Sequence, residues 1–266
     1  LRSNFLTTGP KINQFENKFS KYTGAKYSIA CSNGTAALYL AFKAIRLKKN
    51  DAVIIPAINF VAAANTASIL NAKIYLSDVD PSTGQMTPDL LKKCIKENKL
   101  KKLKVICTMH NGGNPLNAKE IYKISRLKKC FLIEDACHSL GGKYDLKNNF
   151  RVGSCKYSDI STFSFHPVKS ITTGEGGMIT TNNKNFYDKM LTLRNLAFGK
   201  KNRFNHDDIG WNYRMTNIQA ALGISQLKDI ETIVRKKMFI GMYYYKKLSL
   251  NKSIYMTPPS ISFSKN

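Results

Sequence analysis

Acidic residues are scarce in this chain. Asp and Glu number 17 against 42 Lys and Arg over 266 residues, giving a formal net charge of +25 at pH 7. A balance that basic would suit nucleic acid, an anionic membrane surface or anionic substrates. The cations, however, come as scattered pairs such as Lys48-Lys49, Lys101-Lys102, Lys128-Lys129 and Lys200-Lys201. Charge spread this way reads as solvated surface, not as a nucleic-acid face. The abundance of Asn and Ile beside it points to a compositional bias of the source genome.

Other scarcities narrow the class further. None of the six cysteines (Cys31, Cys94, Cys107, Cys130, Cys137, Cys155) forms a C-x-x-C pair, and several lie in apolar runs. That fits reduced, buried thiols in a cytoplasmic protein better than a disulfide framework or a zinc site. No secretory leader pattern opens the sequence. The most apolar region, 52–76, is interrupted by Pro56, Asn59, Asn65 and Asn71, so no membrane span is expected there. Repeats and low-complexity linkers are also lacking, which leaves one main domain. The chain begins at Leu1 and ends shortly after Pro258-Pro259, and we read it as a fragment.

A hydrophobic content of 43% is that of an ordinary globular protein with a substantial core. Ile12, Phe15 and Phe19 recur at helical spacing, predicting a helix over 11–22. Strands are predicted at 27–31, 51–55, 73–77, 104–109, 131–135, 160–165 and 178–181. Helices are predicted at 34–47, 60–70, 88–97, 118–127 and 186–193, with one long helical segment from Thr216 to about Leu248. Strand and helix alternate, implying a mostly parallel sheet covered on both faces, with functional groups at the strands' carboxyl ends.

The segment from Asp159 to Gly177, DISTFSFHPVKSITTGEGG, carries the clearest chemical signal. The strand stops at His166-Pro167, because Pro ends ladder pairing, and so places Lys169 on a loop just past a strand end. A lysine partly desolvated there becomes a nucleophile able to form a Schiff base with an aldehyde; an ordinary loop lysine stays solvated and inert. The turn at Ser32-Asn33-Gly34-Thr35, between a strand and a helix, leaves helix-start amides for an anion, or is a plain cap. Asp135, at a strand end, is open to three readings: an N-cap, a metal ligand, or the partner of a protonated ring nitrogen. With His138 as its sole companion the metal set is incomplete. Glu134 points to the opposite side of its strand.

Six motifs, taken together, resemble a known family: SNGTAAL (32–38), PAINFVAAAN (56–65), EDACHSLGG (134–142), SFHPVK (164–169), GEGG (174–177) and NYRMTNIQAALG (212–223). In this order they resemble the pyridoxal-phosphate-dependent nucleotide-sugar aminotransferases of the DegT/DnrJ/EryC1/StrS type. The resemblance implies an α/β, aspartate-aminotransferase-like fold. Residues 1–248 would form a cofactor-binding large domain with an interdomain helix, and 249–266 the start of a small domain that is largely missing. It implies pyridoxal 5'-phosphate as cofactor and Lys169 as the lysine that binds it covalently and moves the substrate proton. Asp135 matches the acid paired with the pyridinium nitrogen, His138 a position beside the ring and its 3'-oxygen, and Phe60 a ring-stacking aromatic. Gly34, Thr35 and Ser164 match the phosphate cup. Asn212 matches a residue that reaches the cofactor phosphate of a neighbouring subunit, implying a homodimer with shared sites, and Arg214 lies near that crossover.

The resemblance further implies ping-pong transamination with L-glutamate as donor. The run SFHPVKSITTGEGG and the opening FLTTGP most resemble enzymes that aminate C4 of UDP-linked 4-keto-6-deoxy-N-acetylhexosamines on the way to pseudaminic acid. The family also holds GDP-perosamine and dTDP-amino-sugar enzymes. An inactive relative that only binds would also share the fold, although Lys169 and Asp135 are both present.

Overall fold

The expected alternation is realised in a computed structural model, which describes residues 4–145, 149–199, 204–206 and 208–251. Helix α1 (Pro10–Thr23) begins with Pro at its first turn and stops at Gly24, which takes the left-handed conformation at φ 84°. Strand β1 (Tyr27–Cys31) leads into α2 (Gly34–Ala44), then β2 (Ala52–Pro56), α3 (Ala62–Ile69) and β3 (Lys73–Ser77). Next come α4 (Pro88–Glu97), β4 (Val105–Met109), α5 (Ala118–Leu127), β5 (Phe131–Asp135), β6 (Ile160–Ser164), β7 (Gly177–Thr181) and α6 (Lys184–Arg194). The last elements are α7 (Asn217–Lys228) and α8 (Ile230–Leu248).

The strands make one seven-stranded sheet in the order β1-β7-β6-β5-β4-β2-β3. β7 runs antiparallel to both neighbours, β1 and β6, and the other pairings are parallel. The sheet is therefore mixed and mainly parallel. Alternate strand residues face opposite layers, as the two-residue period of a strand requires. Val53, Cys107, Ile133, Ile160 and Ile179 pack under α2, α3 and α6 with Leu38, Phe42, Met190 and Leu193. On the other face Phe163, Phe165 and Met178 meet Phe15, Phe19 and Leu227, and Ile54, Ile106 and Leu132 meet Leu91 and Ile121. Each fully buried side chain of this size contributes about 1.5–3 kcal/mol relative to exposure.

Some boundaries differ from expectation. The single helix expected over 216–248 is two, broken at Asp229 (φ −99°, ψ 5°). Asp229 carries no helical dihedral pair, and the break redirects α8 toward the lysine loop. α3 begins at Ala62, so Phe60 stands in the preceding loop, and β6 ends at Ser164, one residue early. Of the expected small-domain segment 249–266, residues 252–266 lie outside the described residues.

Candidate active site at the carboxyl edge of the sheet

Strand β1 delivers Cys31 to the carboxyl edge, where the chain turns into α2. Asn33 is extended and caps the helix, its Oδ1 accepting from the Ala36 amide at 2.8 Å, while the Ala37 amide donates to the Asn33 carbonyl at 3.1 Å. Among the described residues the Gly34 and Thr35 amides make no hydrogen bond, and they carry the positive end of the helix dipole. A Cβ on Gly34 would stand 3.0 Å from Ser164 Cβ, 3.3 Å from Cys137 Sγ and 3.5 Å from Ser164 Oγ. Glycine is needed here for that close approach. The α2 residues expected to form a phosphate cup thus abut Ser164 at the end of β6 and Cys137 just past β5, beside the rest of the predicted site.

Lys169 lies on the loop joining β6 to β7. The loop is closed at its base by the Phe165 amide donating to the Gly176 carbonyl at 2.8 Å and the Thr173 amide to the Phe165 carbonyl at 3.0 Å. The glycines of the GEGG run serve close packing. A Cβ on Gly177 would fall 2.4 Å from the Asn33 carbonyl oxygen, and one on Gly176 2.1 Å from Thr173 Oγ1. Lys169 is half-buried and its amide donates to the His166 carbonyl at 2.9 Å. From α8, Lys237 Nζ donates to the Lys169 carbonyl at 3.0 Å and to the Val168 carbonyl at 3.4 Å.

Asp135 closes β5, buried and in register with Met109 on β4 and Thr162 on β6. Its Oδ1 accepts from the Cys137 amide at 3.1 Å. Asp135 and Lys169 both act electrostatically on the turn between them. Partial burial lowers the pKa of His138, the Lys169 charge lowers it further, and Asp135 opposes them, so the ring is neutral near pH 7. Burial raises the Cys137 thiol well above its ordinary value, Asp135 adds to the rise and Lys169 subtracts from it. Cys137 is therefore a protonated thiol in the wall of the site.

Gly34, Ser164, Asp135, His138 and Lys169 are thus gathered at one place. Among the described residues no hydrogen bond or ring contact joins Phe60 or Asn212 to this group, so the roles expected of them are not visible as contacts. Phe60 is 68% exposed, in the loop before α3. Beside it, the side-chain nitrogen and oxygen of Asn59 are buried and find no hydrogen-bond partner among the described residues. Asn212 is exposed and bridges Asn195, whose Oδ1 accepts from Arg214 Nη1 at 2.6 Å. The sequence does not single out Cys137, Lys237 or the cluster around Glu134 as neighbours of the site. Glu134 does face away from Asp135, but its acid is engaged by His110, Tyr144 and Ser161. Cys137 had a signal, its place between two predicted site residues; Lys237 had none.

A cavity of about 920 Å³ lies at the opposite, amino edge of the strands, lined in part by Arg46, Lys104, Phe131 and Lys189. It contains none of the predicted site residues, so size alone does not locate the chemistry. Among the described residues no group of three His, Cys, Asp or Glu gathers as a metal site, and no helix is long and apolar enough to cross a membrane.

What the carboxyl edge offers is a set for a phosphorylated aldehyde with a basic ring nitrogen. Unbonded helix-start amides and a serine hydroxyl suit a phosphate, a half-buried amine suits the aldehyde, and a buried carboxylate suits a protonated nitrogen. The Gly34 cradle and the orphaned Asn59 amide are in keeping with such a guest. These are the features of a pyridoxal-phosphate-type site on an aminotransferase fold.

The comparisons agree: the chain belongs to the DegT/DnrJ/EryC1/StrS aminotransferase family, matched over residues 1–262. It is 37% identical to the GDP-perosamine synthase of Escherichia coli O157:H7 over 241 residues, 91% of this chain and 64% of that protein. It is 35% identical to the UDP-4-amino-4,6-dideoxy-N-acetyl-beta-L-altrosamine transaminase of Campylobacter jejuni serotype O:23/36, covering 94% of this chain and 65% of the relative. The sugar aminotransferase Spr1654 of Streptococcus pneumoniae, solved in its PLP form, superposes with a TM-score of 0.84 at 26% identity, over 93% of this chain and 66% of that one. The chain therefore spans just under two thirds of the length of these proteins.

Proposed function

We propose that this chain is the cofactor-binding part of a pyridoxal 5'-phosphate-dependent aminotransferase that moves an amine from L-glutamate to a nucleotide-linked 4-keto-6-deoxy sugar. The observation that carries the reading is the convergence of half-buried Lys169, buried Asp135 and the unbonded Gly34 and Thr35 amides at one sheet edge. When bound, pyridoxal phosphate supplies an electron sink for the carbanion left at the substrate carbon. The amides of Gly34 and Thr35 and the hydroxyl of Ser164 would hold the phosphate, Asp135 would keep a proton on the ring nitrogen, and His138 and Phe60 would be further contacts of the ring. Lys169 Nζ takes the proton from the donor's Cα, and returns a proton to C4 of the sugar after 2-oxoglutarate has left.

The sugar we favour is a UDP-linked 4-keto-6-deoxy-N-acetylhexosamine, on the strength of the 164–177 motif. A second reading, a GDP-linked 4-keto sugar, is supported by the 37% identity to a GDP-perosamine synthase. Residues 1–248 serve as the large domain and 249–266 open a smaller one. The working unit is a homodimer in which exposed Asn212 reaches the phosphate held by the second copy. Exposed Ile209 and Trp211 beside it favour a covered surface. Six unpaired cysteines fit a reducing, cytoplasmic setting.

The test is spectroscopic and covalent. Pyridoxal phosphate added to the purified chain should give a visible band that borohydride bleaches, leaving a mass label on Lys169; Lys169→Ala should show neither. Glutamate offered with UDP- and GDP-linked 4-keto sugars then assigns the substrate. Identical spectra of free cofactor from both proteins would sink the reading.

A further inference from the structure

Behind Asp135 lies a buried polar cluster that the chemistry above does not use. Glu134 precedes Asp135 on β5 and faces the other side of the sheet. Its carboxylate is 2% exposed, yet it accepts from His110 Nε2 at 2.6 Å, Tyr144 Oη at 2.7 Å and Ser161 Oγ at 2.6 Å. The three donors come from three places: the residue after β4, the loop before β6, and β6 itself. Burial acts to raise the carboxyl, but the His110 charge and these hydrogen bonds outweigh it and keep the group ionised. A carboxylate this deep persists only when its lone pairs are taken, and removing one partner exposes an uncompensated charge.

The cluster touches the site through the backbone. The His110 amide donates to the Asp135 carbonyl at 3.3 Å while its ring holds Glu134. His110 therefore grips two consecutive residues of β5, one by main chain and one by side chain. The turn that follows, Asn111–Gly113, is fixed as well: the Gly113 amide donates to the His110 carbonyl at 2.9 Å, and Gln85 Nε2 donates to the Asn111 and Asn114 carbonyls. Gly113, at φ 89°, approaches the His138 carbonyl so closely that a Cβ would come within 2.6 Å of it. The brace thus reaches both residues proposed to face the cofactor ring, Asp135 and His138, through one loop.

We propose that His110 and Glu134 are positioning residues: a buried cross-brace on the back of the sheet that sets where the Asp135 carboxylate and the His138 turn stand against the cofactor ring. The inference rests on the cofactor reading of the site. Neither residue touches the ring, and the phosphate cup on α2 lies outside the brace. Loss of the brace should therefore weaken ring binding beyond any loss of stability, which thermal melting reads separately.

The experiment titrates pyridoxal phosphate into wild type, Glu134→Gln, His110→Gln and Asp135→Ala. It follows the position of the visible band and the dissociation constant, with far-UV circular dichroism and thermal melting alongside. Support consists of folded Glu134→Gln and His110→Gln proteins whose dissociation constants rise tenfold or more and whose bands move toward that of Asp135→Ala. If both stay within twofold of wild type with an unmoved band while Asp135→Ala loses the cofactor, the brace is refuted and the cofactor reading survives. If Asp135→Ala itself binds like wild type, the reading of the site fails and the brace with it. Should the glutamine variants not fold, Tyr144→Phe, which removes one donor to Glu134 and little volume, takes their place. A dissociation constant raised threefold or more with a shifted band then supports the brace, and wild-type values overturn it.

Discussion

Gly177→Ala tests how the cofactor cup is held. Gly177 is the first residue of β7 and its φ lies outside the left-handed range, so alanine is tolerated by its own backbone. The obstacle is contact. The new Cβ would lie 2.4 Å from the Asn33 carbonyl oxygen, 2.6 Å from the Asn33 carbonyl carbon and 3.0 Å from Cys31 Sγ. Two of these atoms are backbone of the residue that caps α2, so no side-chain rotation relieves them. Bringing 2.4 Å to the ordinary 3.4 Å requires strand and cap to part by about 1 Å. Overpacking of this kind costs about 1–3 kcal/mol, which for a chain of this size lowers the melting temperature by roughly 2–12 °C. The same shift carries the Gly34 and Thr35 amides away from Ser164, so pyridoxal phosphate affinity should fall together with stability. Differential scanning calorimetry and cofactor titration read the two effects. A melting temperature within 1 °C of wild type together with unchanged affinity would falsify the account of how the cup is seated.

Phe15→Ala should cost about 3–5 kcal/mol, because Phe15 is fully buried between Phe19, Phe165 and the backbone of Gly223; urea unfolding checks it, and a loss under 1 kcal/mol would mean that the α1–α7 seam is not packed as described. Asp208→Asn should flatten the acid limb of stability. Burial would raise this carboxyl, but hydrogen bonds from Lys189 and Lys43 prevail and hold it at about 2. A depressed carboxyl stabilises the fold above its unfolded value near 4 and loses that contribution as pH falls toward 2. Melting curves from pH 5 to 2 should therefore converge for wild type and variant at the acid end; parallel curves would contradict the assignment.

Much of this was legible in the chain because local chemistry and global fold agree. The cap at Asn33 and the Pro at the start of α4 each have a local cause and lie where they were expected, and the stop of β6 before His166-Pro167 comes one residue early. The break at Asp229 was not legible: the 216–248 stretch contains no Pro, and its glycines, Gly223 and Gly241, lie away from the break. Glu134 could be assigned to the far face by alternation, but its three donors come from segments far apart in sequence, which no periodicity reveals. The reason for glycine at Gly34 and Gly177 was likewise hidden. Both are dictated by another segment's backbone or side chain, and neither by a turn of its own.

The antiparallel β7 has a consequence for how the protein reaches this state. Ser164 pairs with Gly177 inside a single hairpin, so the loop carrying Lys169 can form from neighbouring residues alone. Cys31 must also find Gly177, across most of the chain that separates them, before α2 can bring its amides to Ser164. Contacts between distant segments carry the larger closure entropy and come later in folding. Lys169 should therefore be in place before the proposed anion cup is complete, and recovery of cofactor binding after dilution from denaturant should lag behind recovery of the β6–β7 hairpin. Cofactor capture would then serve as a clock for the last long-range step of folding.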